Sequence, residues 1–508
     1  MTPLSKLRFW FVLLFFFNAF LSFGQGKKVR LVHADKTVYN KKIIQAQRLI
    51  GHVQLTFDGT LFYCDSAYFF ENENFQAFGN IRVNKPGDYT ITGKKLFFNK
   101  ANQVATLNEN GVFTDGDMTL TAPSMNYNFN SEIATFSGGG KITSSKNNNV
   151  LTAQTGRYHS PTNQFTFRRK VTVKNDEYTV ISDTMLYNSS GEESFFYGPT
   201  TITSDGLKIK CIWGSFNSKT EKCIFTKRAT VEEKKFILIG DSIFFDGKTN
   251  NGEAFGNVVI KDIEDGTSAY GEYGSHNETS STTFITKKAY IKKPLQSNDS
   301  LYLTADSLYI LGNKESKKSI LAFRHVLFYS NDFQGKSDSL SYSEKDSILN
   351  LFYNPVVWND QNQLTGKRIE LLLKDNQLST LFIPEEAFLI SLSKREFYNQ
   401  IRGTSLSTVF GEKEIKKAHF VGNAELLYFP LEEKKGSSKL TGRNAATCSE
   451  IELRFQKNKI SEMNLVNEAN SSFAPVSKMH SLPKSIEGFN LRLAERPTSK
   501  DKILEIRK

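Results

Sequence analysis

The stretch Gly240-Asp241-Ser242-Ile243-Phe244-Phe245-Asp246-Gly247-Lys248-Thr249-Asn250-Asn251-Gly252-Glu253-Ala254-Phe255-Gly256-Asn257-Val258-Val259-Ile260 decides how this chain folds. Ile243 and Phe245 alternate with their neighbours, and a polar turn of Gly, Lys, Thr and Asn follows. A second run extends from Ala254 to Ile260 and is interrupted by Gly256-Asn257. Period-two alternation on both sides of a turn-rich break is the pattern of two antiparallel strands. The glycine inside the second run marks a bend or bulge, because glycine tolerates backbone angles that other residues avoid.

The phrase recurs along the chain. The small residue ahead of the Asp-Ser-apolar step falls at Ala34, Cys64, Gly93, Ala122, Ala153, Ser182, Cys211, Gly240, Gly271, Ala305, Ser337 and Gly366, at intervals of 29 to 34 residues. Weaker copies follow near Gly403 and Gly442. The second half recurs as Gly79-Asn80-Ile81-Arg82-Val83 and Gly422-Asn423-Ala424-Glu425-Leu426. Self-similarity at a fixed period is the mark of a stacked repeat. Twelve copies in register argue against chance likeness among ordinary β-sandwich domains. From about Leu378 the period loosens, as a terminal repeat with no further neighbour requires. The organisation expected is a signal segment over 1–24, regular repeats over 25–377, divergent terminal repeats over 378–466 and a polar tail over 467–508. Within the tail, Phe489-Asn490-Leu491-Arg492-Leu493 is the segment suited to docking.

Lys6 and Arg8 precede the apolar run Phe9 to Phe17, and Ser22 and Gly24 are small residues suited to cleavage before Gln25, the layout of a secretory signal. Asn18 and Ser22 keep the run below the roughly twenty residues that a membrane-spanning helix needs. The chain holds 42 Phe and 19 Tyr but only 12 Pro, which suits strands over loops. Its formal charge is +12, and subtracting Lys6 and Arg8 leaves +10. That balance suits anionic partners such as phosphorylated lipid, although lysines also serve as solvated guards of strand edges.

Of the four cysteines, Cys211 and Cys223 flank the turn Asn217-Ser218-Lys219-Thr220-Glu221. Folding about Asn217 sets them opposite each other, within disulfide reach. The other reading is two free thiols acting as small apolar residues. No Cys-x-x-Cys, Gly-x-Ser-x-Gly, His-Glu-x-x-His, phosphate loop or dinucleotide fingerprint occurs, and the seven histidines are scattered. The pairs Asp65-Ser66, Asp241-Ser242, Asp306-Ser307 and Asp338-Ser339 repeat with the fold, so a local hydrogen bond explains them better than chemistry. A bacterial O-glycosylation acceptor is the rival explanation of that triplet. The reading is of a protein that is not an enzyme and uses neither cofactor nor metal.

Alternation places Leu96 and Phe98, Met125 and Tyr127, Met185 and Tyr187, Ile243 and Phe245, and Leu340 and Tyr342 on one face. Ile81 and Val83, Val171 and Val173, and Val258 and Ile260 do the same in the strand after the turn. Stacked copies then enclose an apolar interior between two sheets or inside a folded trough. The first ten residues are the candidate lining of that interior.

The alternating phrases Gly-Asn-Val-x-Val and Thr-x-Thr-Gly/Ala-Asp-Ser-Leu-x-Tyr, with the opening Gly51-His52-Val53-Gln54-Leu55, resemble the OstA/LptA-type lipopolysaccharide-transport proteins. The likeness runs well over 30–375 and loosely over 376–466. It implies an all-β, elongated OstA/LptA-like β-jellyroll of about twelve to fourteen hairpin repeats. It also implies acyl chains of lipopolysaccharide in an apolar groove and phosphorylated sugars near Lys and Arg at the open edge. The implied location is the periplasm, in association with the outer membrane. The implied partners are lipopolysaccharide and transport components at the inner and outer membranes. Copies could join end to end by β-augmentation, and nucleic acid is not implied. The chain exceeds a short periplasmic member of that family in length and lacks the large barrel that follows this domain in the outer-membrane translocon. The rival class is a structural or adhesive solenoid with a filled core.

Overall fold

The computed structural model describes residues 27–505 except 40–44, 86, 146–147, 296–298, 313–317, 375–376, 412–413, 435–436, 458 and 480. The expected signal segment, 1–24, lies outside the described residues. Among the described residues no helix is long and apolar enough to cross a membrane. The chain forms two compact units, Met1–Thr200 and Thr201–Lys508.

In the first unit the strands Ala46–Phe57, Thr60–Phe70, Phe75–Lys85, Tyr89–Asn99, Val104–Asp115 and Met118–Asn128 pair antiparallel in chain order. Every one of these ladders breaks register near its middle, for example between Phe78 and Ile81 and between Thr92 and Lys95. Each strand therefore bends into two arms, and each sequence repeat supplies two bent strands. The second unit repeats the pattern through Leu207–Asn217, Lys222–Glu233, Phe236–Asp246, Asn251–Asp262 and Ser268–Asn277. Further on, many arms are separate short strands, such as Val356–Asn359 and Asn362–Thr365, with long strands returning at Glu414–Tyr428 and Gly442–Gln456. The architecture is all-β, with the stacked strands that the repeat predicts and the jellyroll arrangement that the resemblance implies.

Alternate strands bend in different ways. One class turns through two consecutive left-handed residues: Gly79 and Asn80 at φ 70° and 39°, Gly256 and Asn257 at 71° and 47°, Gly422 and Asn423 at 84° and 48°. Arg169 and Lys170, and Lys227 and Arg228, adopt the same pair of angles without glycine. The other class bends at the marked small residue, which keeps ordinary φ and faces inward. There size decides: a Cβ at Gly93 would lie 3.1 Å from Leu107, and one at Gly366 would lie 2.2 Å from Ile383.

The Asp of the Asp-Ser step belongs to this bend. Asn80 Nδ2 donates to Asp65 at 2.9 Å, and Asn257 Nδ2 donates to Asp241 at 2.8 Å. His52 and His325 replace the asparagine, each 2.8 Å from Asp35 and Asp306. A Cβ at Gly79 or Gly256 would come within 2.2 and 2.5 Å of those carboxylates, so this glycine answers both to its φ and to a neighbour.

The end of the chain lies along the second unit. Residues 476–505 follow strand Asn470–Pro475 and pack on the outer side of an arm whose inner side is already core. Met479 and Ile486 sit with Phe388, Ile390, Leu427 and Phe429. Gln400 donates to Lys484 O and accepts from Ile486 N, at 2.9 Å each. Gln363 treats Asn490 O and Arg492 N the same way, at 2.7 and 2.8 Å. Each side-chain amide thus pairs with an extended backbone as a peptide group in a neighbouring strand would. Arg492 is buried and bonds Glu495 and Asn354, while Arg496 bonds Gln334.

Candidate functional site

Two rows of inward side chains face each other across the interior of the second unit, one row on each set of arms. Ile209, Val231, Leu238 and Ile260 stand opposite one another across four strands. Phe216, Cys223, Phe245 and Gly252 form the other row. Between them, near the bends, Cys211, Phe225, Ala229, Ile243, Ala254 and Val258 make a buried floor. Toward the strand ends, Ile202, Leu207, Phe216, Val231, Leu238 and Ile260 are only half-buried against that floor. The second row contains Cys223 and Gly252, too small to reach across, so apolar surface stays open to solvent.

The equivalent rows in the first unit meet. Phe98 lies 5.6 Å from Phe62 and 5.0 Å from Phe57, and Tyr127 lies 4.7 Å from Tyr89 and 6.0 Å from Phe113. Burial pushes the Tyr127 phenol far above its ordinary pKa. Beyond residue 268 the interior has a buried centre, with Ile285, Leu308, Leu351, Leu371 and Leu381 fully buried in one cluster, while Ile310, Ile320 and Tyr342 are half-buried at its side.

The ten candidate lining residues divide accordingly. Leu96, Phe98, Met125 and Tyr127 are filled core of the first unit, where Met185 is buried and Tyr187 half-buried. In the second unit Ile243 belongs to the floor, Leu340 is buried and Tyr342 packs against the closed cluster. Phe245 keeps the inward register but is 39% exposed, the same as its neighbour Phe244. Alternation alone therefore does not separate these two by burial. Phe245 stands near a strand end opposite Gly252, where nothing covers it, and Phe244 packs on Phe255 at 5.5 Å. The open lining missed in the sequence is Leu207 and Leu238, on the arm ahead of the mark, and Val231, which stands opposite Leu238 on the neighbouring strand. The alternation Phe236-x-Leu238 before Gly240 was the available signal.

Cys211 and Cys223 are free, buried thiols, which corrects the disulfide reading. The register sets Asn217 opposite Lys222 and Phe216 opposite Cys223, so the turn centres beyond Asn217. Cys211 falls in the register break between Lys210 and Trp213. Burial pushes the Cys211 thiol up to about 11 and the Cys223 thiol to about 12, so both stay protonated and act as small apolar groups.

Residues 26–183 match the family model described as OstA-like protein. Among solved structures the chain is similar to LptH, the LptA-homologous periplasmic component of the lipopolysaccharide transport device from Pseudomonas aeruginosa. That likeness has 9% identity and covers 29% of this chain and 82% of that one, at a TM-score of 0.17, too low to carry an argument. No curated protein matches. The likeness to OstA-like proteins thus covers residues 26–183.

Proposed function

We propose that this protein binds lipopolysaccharide by its acyl chains and carries it toward the outer membrane, working with other transport components of the envelope. The observation that carries the reading is the half-buried apolar lining of Leu207, Phe216, Val231, Leu238 and Ile260 over a buried floor. A soluble protein gains by covering such surface, at about 25 cal/mol per Å², and an acyl chain is a matching cover. The OstA-like segment and the basic charge of the chain point the same way. The filled interiors on the rest of the chain favour the second reading, a structural solenoid.

A photoreactive residue in cells separates the two. Placed at Leu238 it should capture lipopolysaccharide. Placed at Ile212, exposed at a bend, it should not. Equal capture at both positions, or none from folded protein, would leave the structural solenoid as the better account.

A further inference from the structure

We infer that the open lining ends blind within the second unit, so that residues 269–505 form a closed terminus and not a continuing conduit. The inference rests on the acyl-binding reading and adds where the bound chains must stop.

Two independent observations carry it. The first is packing. On one set of arms the half-buried row ends at Ile260, and the residues that continue it, Ala269, Ile291, Leu303 and Phe328, are 2, 3, 5 and 1% exposed. On the other set Ile310, Ile320 and Tyr342 stay half-buried, and the row closes at Leu349 and Leu371, at 4% and 0%. An interior packed to that degree holds an acyl chain only if its two sets of arms move apart.

The second observation is the strap, residues 476–505, which opposes that movement. It runs along the outer side of one set of arms and ties successive ones together. Gln400, Gln363 and Gln334 stand on three different strands, Phe397–Gly403, Asn362–Thr365 and Gln334–Ser343. Each holds the same continuous segment through residues 484–496. Glu495 adds Lys336 at 2.5 Å, and Arg492 reaches Asn354 O at 3.1 Å. Trp358, fully buried, donates its indole N–H to Gln363 at 3.4 Å. These arms are therefore buried on both faces, by core on one and strap on the other. Splaying them would break side-chain-to-backbone bonds on several strands at once. Among the described residues the lining over 207–262 has no such cover: Ile212 on that stretch is 47% exposed.

The consequence is that lipid enters and leaves from the open side of the 207–262 lining. It does not pass through to the carboxyl-terminal strands. The second unit then acts as an end station of a transport line.

The test uses the full chain in its native envelope with p-benzoylphenylalanine at Leu238 in one variant and at Tyr342 in another. Tyr342 is half-buried and aromatic, so the probe fits there, and melting curves of both variants check folding. The expected result is at least tenfold more lipopolysaccharide adduct at Leu238 than at Tyr342. Equal adduct at Tyr342 overturns the blind end and leaves acyl binding standing. Adduct at neither removes the acyl-binding reading and the blind end with it. As a second measurement, deletion of 476–505 that leaves Tyr342 adduct at background supports closure by packing. The same deletion raising it to the Leu238 level assigns closure to the strap.

Discussion

Gly256 carries two constraints at once, a left-handed backbone at φ 71° and a carboxylate where a Cβ would go. Gly59 carries only the first: its φ is 76°, and nothing lies within 4 Å of an added Cβ. Gly59→Ala should therefore cost about 1–2 kcal/mol, the price of a left-handed alanine. Gly256→Ala should cost roughly twice as much, since Asp241 must also release Asn257. Urea unfolding of both variants measures this, and equal losses would show that the carboxylate yields freely. Glu495 makes a pH prediction. The Arg492 guanidinium, and then Lys336, hold its carboxyl down at about 2, against 4.5 for an ordinary glutamate. A depressed folded pKa stabilises above the unfolded value and is lost as pH falls through the folded one. Strap docking should thus weaken from about pH 4.5 down to about 2. Trp358 fluorescence in a background with Trp10→Phe and Trp213→Phe should shift to the red over that window. Glu495→Gln should flatten the shift, and an unchanged window in that variant would assign the transition to other groups.

At the scale of elements, the sequence is legible where a bend leaves a mark. Gly-Asn shows the left-handed pair directly, and the Asp-Ser step shows its partner. Arg169-Lys170 and Lys227-Arg228 bend equally and leave no composition signal, because their angles are imposed by the strands on either side. The cysteine pairing failed for a related reason. The turn after Asn217 is centred two and a half residues further on than symmetry about Asn217 assumes, and the bulge removes Cys211 from the ladder. The strap is the least legible element. It has no period, because it is held through its backbone, and its partners Gln363 and Gln400 look like surface residues in the sequence. Gln400→Ala should loosen it by about 1–3 kcal/mol, leaving Lys484 O and Ile486 N without their amide partner. Limited proteolysis should then cut near 484–486 well before the sheet, and uniform resistance would place the hold elsewhere. Chemistry at the thiols offers a parallel check. All four cysteines are buried, so alkylation should proceed only after unfolding, and reduction should leave the melting temperature unchanged.

Across the whole molecule, one repeat is used for two ends by changing side-chain size at a fixed position. Five residues past the mark stand Phe98, Tyr127, Phe216, Phe245 and Tyr342, yet Phe98 is fully buried and Phe245 is 39% exposed. The difference lies in what faces them: Phe62 and Phe57 meet Phe98, while Gly252 and Cys223 flank Phe245. Periodicity predicts the row, but only the packing of both arms predicts whether the row is covered. A single charge at one closed and one open inward position tests this contrast. In Leu371→Asp the carboxylate would sit in a closed cluster, where burying an unpaired ion costs several kcal/mol, and the variant should fail to fold or melt far below the parent. In Leu238→Asp the carboxylate can turn to solvent from a half-buried wall, so melting should shift only slightly. The same variant should lose most of its capacity to displace a fluorescent lipopolysaccharide analogue, because an ion would stand among the acyl chains. Circular-dichroism melts and displacement titrations on both variants read the two effects separately. If Leu238→Asp destabilised the fold as severely as Leu371→Asp, the wall would be packed core, and the solenoid with a filled interior would replace the lipid carrier.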